Sequence, residues 1–114
     1  MSGIALVYSL FGSLDAAKRT AHIVVKEGLA ACVNILPPCT SIYEWKGALE
    51  ESAEVPVLFK TTPERRDALM ARLAQLHEYD VPAILALPVD AVPPPFAAWV
   101  AEQVAGGAEI RSDS

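Results

Sequence analysis

The stretch Thr40-Ser41-Ile42-Tyr43-Glu44-Trp45-Lys46-Gly47-Ala48-Leu49-Glu50-Glu51-Ser52-Ala53-Glu54-Val55-Pro56-Val57-Leu58-Phe59-Lys60 decides how this chain folds. Ile42 is opposite in parity to Tyr43 and Trp45, so an extended segment there carries apolar side chains on both faces. Gly47 offers a turn. Beyond it Leu49, Ala53, Val55, Val57 and Phe59 recur at period two, with Glu50, Ser52, Glu54 and Lys60 opposite, the pattern of a second strand. The two strands make a long hairpin. Pro37-Pro38 and Pro56 cannot donate to a ladder and mark bulges or edge positions within it.

On the N-terminal side, Ile4 to Leu10 is a continuous apolar run, the pattern of a strand buried on both faces. Ser13 then caps a helix with Asp15 in its first turn; Ala17, Ala21, Val24 and Val25 share one face, and Gly28 is the stop. On the C-terminal side, Thr62 reads as a cap and Pro63 as the first position of a second helix. Leu69, Leu73 and Leu76 line one face of it, and the helix should end near His77. Ala83 to Leu87, bracketed by Pro82 and Pro88, is a short apolar strand. Pro93-Pro94-Pro95 leads into a terminal helix carrying Phe96, Trp99, Val100 and Val104. One domain over residues 1–105 and a polar tail over 106–114 follow from this division.

The order is βαββαβ plus a terminal helix. With right-handed crossovers it gives an α+β, ferredoxin-like antiparallel sheet with two helices on one face and the hairpin's first strand at the edge. Tyr43, Trp45 and Leu49, near the hairpin tip, project beyond what one small core can cover. A closed homo-oligomer would cover them most economically.

Composition narrows the function. A chain of 114 residues, 53% hydrophobic and 20% charged, can bury one core without disulfide or metal. Its net charge of −5 argues against binding nucleic acid or an anionic membrane surface. The apolar Ile4–Leu14 segment is too short to span a bilayer, and no Lys or Arg precedes Lys18, so a cytoplasmic protein is expected. Cys32 and Cys39 lack CxxC spacing and are expected to be small core residues. No GxSxG, GxxxxGK[ST] or HExxH motif is present, and no nucleophile–base pairing is evident, so no enzyme is expected. Glu44, Glu50, Glu51 and Glu54 make the hairpin acidic, which reads as a weak site for divalent metal or, more commonly, as a solvated face.

Four segments carry a family resemblance: Ala30-Ala31-Cys32-Val33-Asn34-Ile35, Thr40-Ser41-Ile42-Tyr43-Glu44-Trp45-Lys46-Gly47, Lys60-Thr61-Thr62 and His77-Glu78-Tyr79-Asp80-Val81-Pro82. In order and spacing they resemble the CutA1 family, the divalent-cation tolerance proteins, from the first strand to Trp99. The resemblance implies a ferredoxin-like subunit in a homotrimer joined through its hairpins, with an architecture similar to PII signalling proteins. It also implies a role with Cu²⁺ or another divalent cation and no tightly bound cofactor. The resemblance implies His77 as a metal residue, with Asp80 or Glu78 as a stand-in for a missing ligand; Cys32, Tyr43, Trp45, Lys60 and Tyr79 are implied at an inter-subunit pocket or interface. The chain departs from the family pattern where metal would sit. Glu78 replaces a Pro, Asp80 a Glu, and Ala83 the Glu after Pro82, while Ser9 stands where some members carry a Cys. Of three suspected copper ligands only His77 remains. A PII-like signalling or small-molecule-binding trimer without a tight metal site is the alternative implied by the same architecture.

Overall fold

The computed structural model of the chain describes residues 3–113, with side chains through residue 104. Eight elements follow in order: β1 (Ala5–Phe11), α1 (Leu14–Lys26), β2 (Cys32–Ile35), β3 (Cys39–Trp45), β4 (Ala48–Thr61), α2 (Arg66–Leu76), β5 (Ile84–Leu87) and α3 (Pro94–Asp113). The antiparallel sheet runs β2-β4-β1-β5, and β3 pairs with the distal part of β4. This is the expected α+β arrangement with one correction. The hairpin's first strand is broken at Leu36-Pro37-Pro38 into β2 and β3, both paired to β4. Pro37 and Pro38 have no N–H to contribute, so the ladder lapses there.

Local signals account for the element ends. The Ser13 side chain accepts the Ala16 N–H at 3.1 Å, capping α1. Gly28, at φ 73°, closes α1 as Leu29 N–H donates to Val24 O at 2.9 Å. The start of α2 is later than expected. The Arg65 N–H is bound to Thr62, to its carbonyl at 3.1 Å and its hydroxyl at 3.3 Å, the bonds of a tight turn, so Pro63 lies in that turn and the helix begins at Arg66. At the hairpin tip Lys46 and Gly47 have φ of 51° and 82°. Two successive positive values match the right-handed twist of the flanking strands in a two-residue connection. The backbone of α3 continues through the segment expected to be a tail, as far as Asp113.

The core lies between the helices and one face of the sheet. Val7, Phe11, Val57, Phe59, Val24, Leu69 and Leu73 are its largest fully buried side chains. Arg72 on α2 reaches the Glu27 carboxylate with two bonds of 2.9 and 2.8 Å, tying α2 to the end of α1. A second, smaller cluster of Ala31, Val100 and Val104, with Ile4 and Phe96 against it, seats α3.

Two expectations fail for one physical reason. The apolar run of β1 is buried on one face only: Ala5, Val7, Ser9 and Phe11 are buried, while Leu6, Tyr8 and Leu10 are half-buried. Cys32 and Cys39 are likewise half-buried free thiols rather than core residues. The sheet has a helix layer on one side. The other side carries Leu6, Tyr8, Leu10, Leu58, Leu85 and Leu87 in register, and a single protomer leaves Leu85 and Leu87 exposed. The hairpin extends this uncovered surface. Fourteen residues of β4, at roughly 3.4 Å each, account for almost all of the 49 Å long axis.

Candidate functional site

The expected motif residues sit where the end of β1, the base of the hairpin and the segment after α2 meet. His77 is the C-cap of α2 and is buried. Its ring stacks on Phe11 at a centroid distance of 4.5 Å, tilted by 18°. Nδ1 accepts the backbone N–H of Tyr79 at 3.2 Å, which leaves Nε2 to carry the ring proton and donate to Leu10 O at 2.7 Å. Both nitrogens are thus committed.

Tyr79 packs against the His77 ring at 4.8 Å, and its hydroxyl donates to Glu54 Oε2 on β4 at 3.1 Å. Burial, then this hydrogen bond, then the negative charges of Glu54 and Glu78 push the phenol up to about 12. It is a neutral donor. Gly12 makes room for the pair, because a Cβ there would lie 3.0 Å from Glu78 Oε1 and 3.1 Å from the Tyr79 hydroxyl. Sequence reasoning gave Gly12 no role; a glycine at the exit of a buried strand was the available signal for close approach.

The positions at which the resemblance implies copper ligands do come together. Ser9 lies on β1 next to Leu10, the partner of His77, and its hydroxyl donates to Ala83 O at 2.7 Å. The donor chemistry is missing. A buried hydroxyl spent on a carbonyl, an imidazole with both nitrogens engaged and an alanine methyl do not fit a transition-metal site, which needs three or four free donors. Asp80 is exposed and makes no hydrogen bond or ion pair with His77. Among the described residues there is no group of three or more His, Cys, Asp or Glu able to hold an ion.

The expected pocket residues are spread along the sheet. Cys32 pairs with Lys60 across β2 and β4, and the Lys60 ammonium lies 5.7 Å from the Phe96 ring. Trp45 pairs with Ala48 at the opposite end of β4, 60% exposed, with the Lys46 ammonium 5.7 Å from its ring. Tyr43, beside it, donates to Ser52 Oγ at 3.3 Å. Along β4, Ala48 and Lys60 are on the order of 40 Å apart, so Trp45 and Lys60 cannot line one pocket within a protomer.

Comparison with known proteins now decides the family. The profile described as CutA1 divalent ion tolerance protein matches residues 5–103. The chain belongs to the CutA1 family. Protein CutA of Mus musculus is 46% identical over 84 residues, covering 74% of this chain and 48% of the mouse protein. The divalent-cation tolerance protein CutA of Thermus thermophilus is 47% identical over 77 residues, covering 68% of this chain and 75% of that protein. A solved structure of the Thermus thermophilus protein superimposes with a TM-score of 0.83 at 39% identity, covering 89% of this chain and 98% of that one. The chain spans about half the length of the vertebrate relatives it matches. The family is described as one of divalent ion tolerance proteins. Relatives carry the descriptions chloroplastic, in Oryza sativa, and periplasmic, in Archaeoglobus fulgidus. Among the described residues no helix is long and apolar enough to cross a membrane.

Proposed function

We propose that this CutA1 protein acts as a homotrimer in tolerance to divalent cations, Cu²⁺ foremost, without a metal centre built on His77 and Asp80. The observation that carries the proposal is the apolar sheet face left without a helix layer, together with the exposed Ile42, Trp45 and Leu49 on the hairpin beyond it. Burying such side chains is worth about 1.5–3 kcal/mol each, and closed rotational symmetry covers every copy's surface at once. In the trimer, Cys32, Tyr43, Trp45, Lys60 and Tyr79 stand at the contacts between subunits. The two-residue turn at Lys46-Gly47 argues against a PII-like signalling arm, which needs a long adaptable loop.

Growth of a deletion strain in rising Cu²⁺ tests the function. The strain should be more sensitive than its parent, and the wild-type gene and Asp80→Ala should restore tolerance while Trp45→Ala should not. Unchanged sensitivity on deletion would contradict it.

A further inference from the structure

The hairpin carries apolar side chains on both of its faces, and the two faces belong to opposite sides of the sheet. The pleat of β4 puts Leu49, Glu51, Ala53 and Val55 on the helix side, with the buried Val57 and Phe59. Glu50, Ser52, Glu54 and Pro56 fall on the open side, with Leu58 and Lys60. Trp45 opposes Ala48 and Tyr43 opposes Glu50, so both aromatics are on the open side. Ile42 opposes Glu51 and Glu44 opposes Leu49, which makes Ile42 and Leu49 diagonal neighbours on the helix side. They are 67% and 82% exposed.

At that exposure no described element of the same chain covers the pair. The helix layer stops at the root of the hairpin, where Leu14, at the start of α1, lines a hollow of about 350 Å³ with Leu36, Pro37, Pro38 and Val55. Residues 48–54 of β4 run roughly 24 Å past Val55, the last of its side chains in the core. Helix α3 is at the opposite end of β4, beside Lys60. An apolar strip therefore leads from the hollow over Ala53 to Ile42 and Leu49. Glu44 and Glu51 flank it, giving the apolar centre and charged rim of a protein contact.

We propose that this helix-side strip, centred on Ile42 and Leu49, is a second contact surface for another copy of the chain, separate from the face that carries Trp45. The inference rests on the homotrimer proposed above and assigns two neighbours to each hairpin. The faces of a ribbon point apart, so a copy seated on Trp45 leaves Ile42 and Leu49 in water. A two-fold dimer uses one self-complementary patch and would leave the other face bare, whereas a closed ring gives every subunit two neighbours, one for each face. The ring that covers Trp45 thus already brings a second copy to the hairpin, which favours that copy over an unrelated protein as the occupant. Any dimer leaves an apolar hairpin face exposed, so dimers do not accumulate between monomer and trimer.

The test uses the full chain in its native assembly. Ile42→Lys and Leu49→Lys each place a cation directly across from a carboxylate, Glu51 and Glu44, so a ribbon free in solvent should be as stable as before or slightly more so. In a contact the same changes remove an apolar anchor and bury a charge. Each should then weaken association about tenfold or more in sedimentation equilibrium and make melting fall on dilution. Hydroxyl-radical footprinting of the wild type should find the Leu49 side chain protected in the assembly. A wild-type trimer in which both lysine variants assemble and melt like the parent, or in which Leu49 is oxidised as fast as a free leucine, would overturn the second contact and leave the homotrimer standing. A populated wild-type dimer would also overturn it, and a wild-type monomer would overturn the homotrimer as well.

Discussion

His77 Nδ1 accepts the backbone N–H of Tyr79 at 3.2 Å while its Nε2 donates to Leu10 O, and this pair of bonds fixes the ring as a fastener between β1 and the segment after α2. The tautomer protonated on Nε2 is therefore expected in nitrogen NMR spectra. His77→Phe keeps the stack on Phe11 but orphans the Leu10 carbonyl and the Tyr79 N–H, at a cost of about 1–3 kcal/mol. Cu²⁺ calorimetry should give equal heats for the wild type and this variant. A stoichiometric heat that vanishes with His77 would restore the metal reading.

Tyr79 supplies a pH dependence whose sign is fixed by its raised pKa. The fold favours the neutral phenol, so the contribution is whole below the ordinary value of 10.0 and is lost as pH rises through about 12. Melting curves across that window should fall more steeply for the wild type than for Tyr79→Phe. At neutral pH the variant should be the less stable by about 1 kcal/mol, having lost the bond to Glu54.

Gly12→Ala should lower the melting temperature, because its methyl meets the Tyr79 hydroxyl at 3.1 Å, which the bond to Glu54 holds in place, whereas the exposed Glu78 carboxylate at 3.0 Å can swing aside. Adding Tyr79→Phe removes one of these obstacles and should recover part of the loss. Purely additive losses in the double variant would mean that Gly12 acts elsewhere.

The hairpin turn is tunable. Gly47→Ala places a Cβ at φ 82° and should cost about 1 kcal/mol or more. Lys46→Asn, at φ 51°, should raise the melting temperature, since Asn tolerates that region best among side-chain-bearing residues. No change in either variant would show that the tip is unstructured in solution.

The hairpin, the helices and their order were legible in the sequence because each rests on local periodicity and on caps such as Ser13. The later start of α2 was not, because Thr62 can cap a turn or a helix with the same side chain. One-sided burial of β1 was not legible either: an apolar run states that both faces want cover, not which molecule provides it. At the motif, His77 and Tyr79 could be picked out as residues, but their roles depend on Leu10, 67 positions from His77, and on Glu54, 25 from Tyr79. Contacts at such separations leave no pattern in a window of sequence. The substitutions at Ser9 and Ala83 were visible, whereas their mutual hydrogen bond was not.

Trp45→Ala should weaken association by about 2 kcal/mol or more per contact and make the melting temperature depend more steeply on protein concentration. An unchanged oligomer with unchanged melting would remove the hairpin from the interface.

Sedimentation velocity at micromolar concentration tests the central claim most directly. A trimer covering the open sheet face should sediment as a single species of about three times the 12.2 kDa chain, and Trp45→Ala should add lighter species. A monomer of 12.2 kDa that melts cooperatively, with Leu85, Leu87 and Trp45 open to solvent, would contradict it.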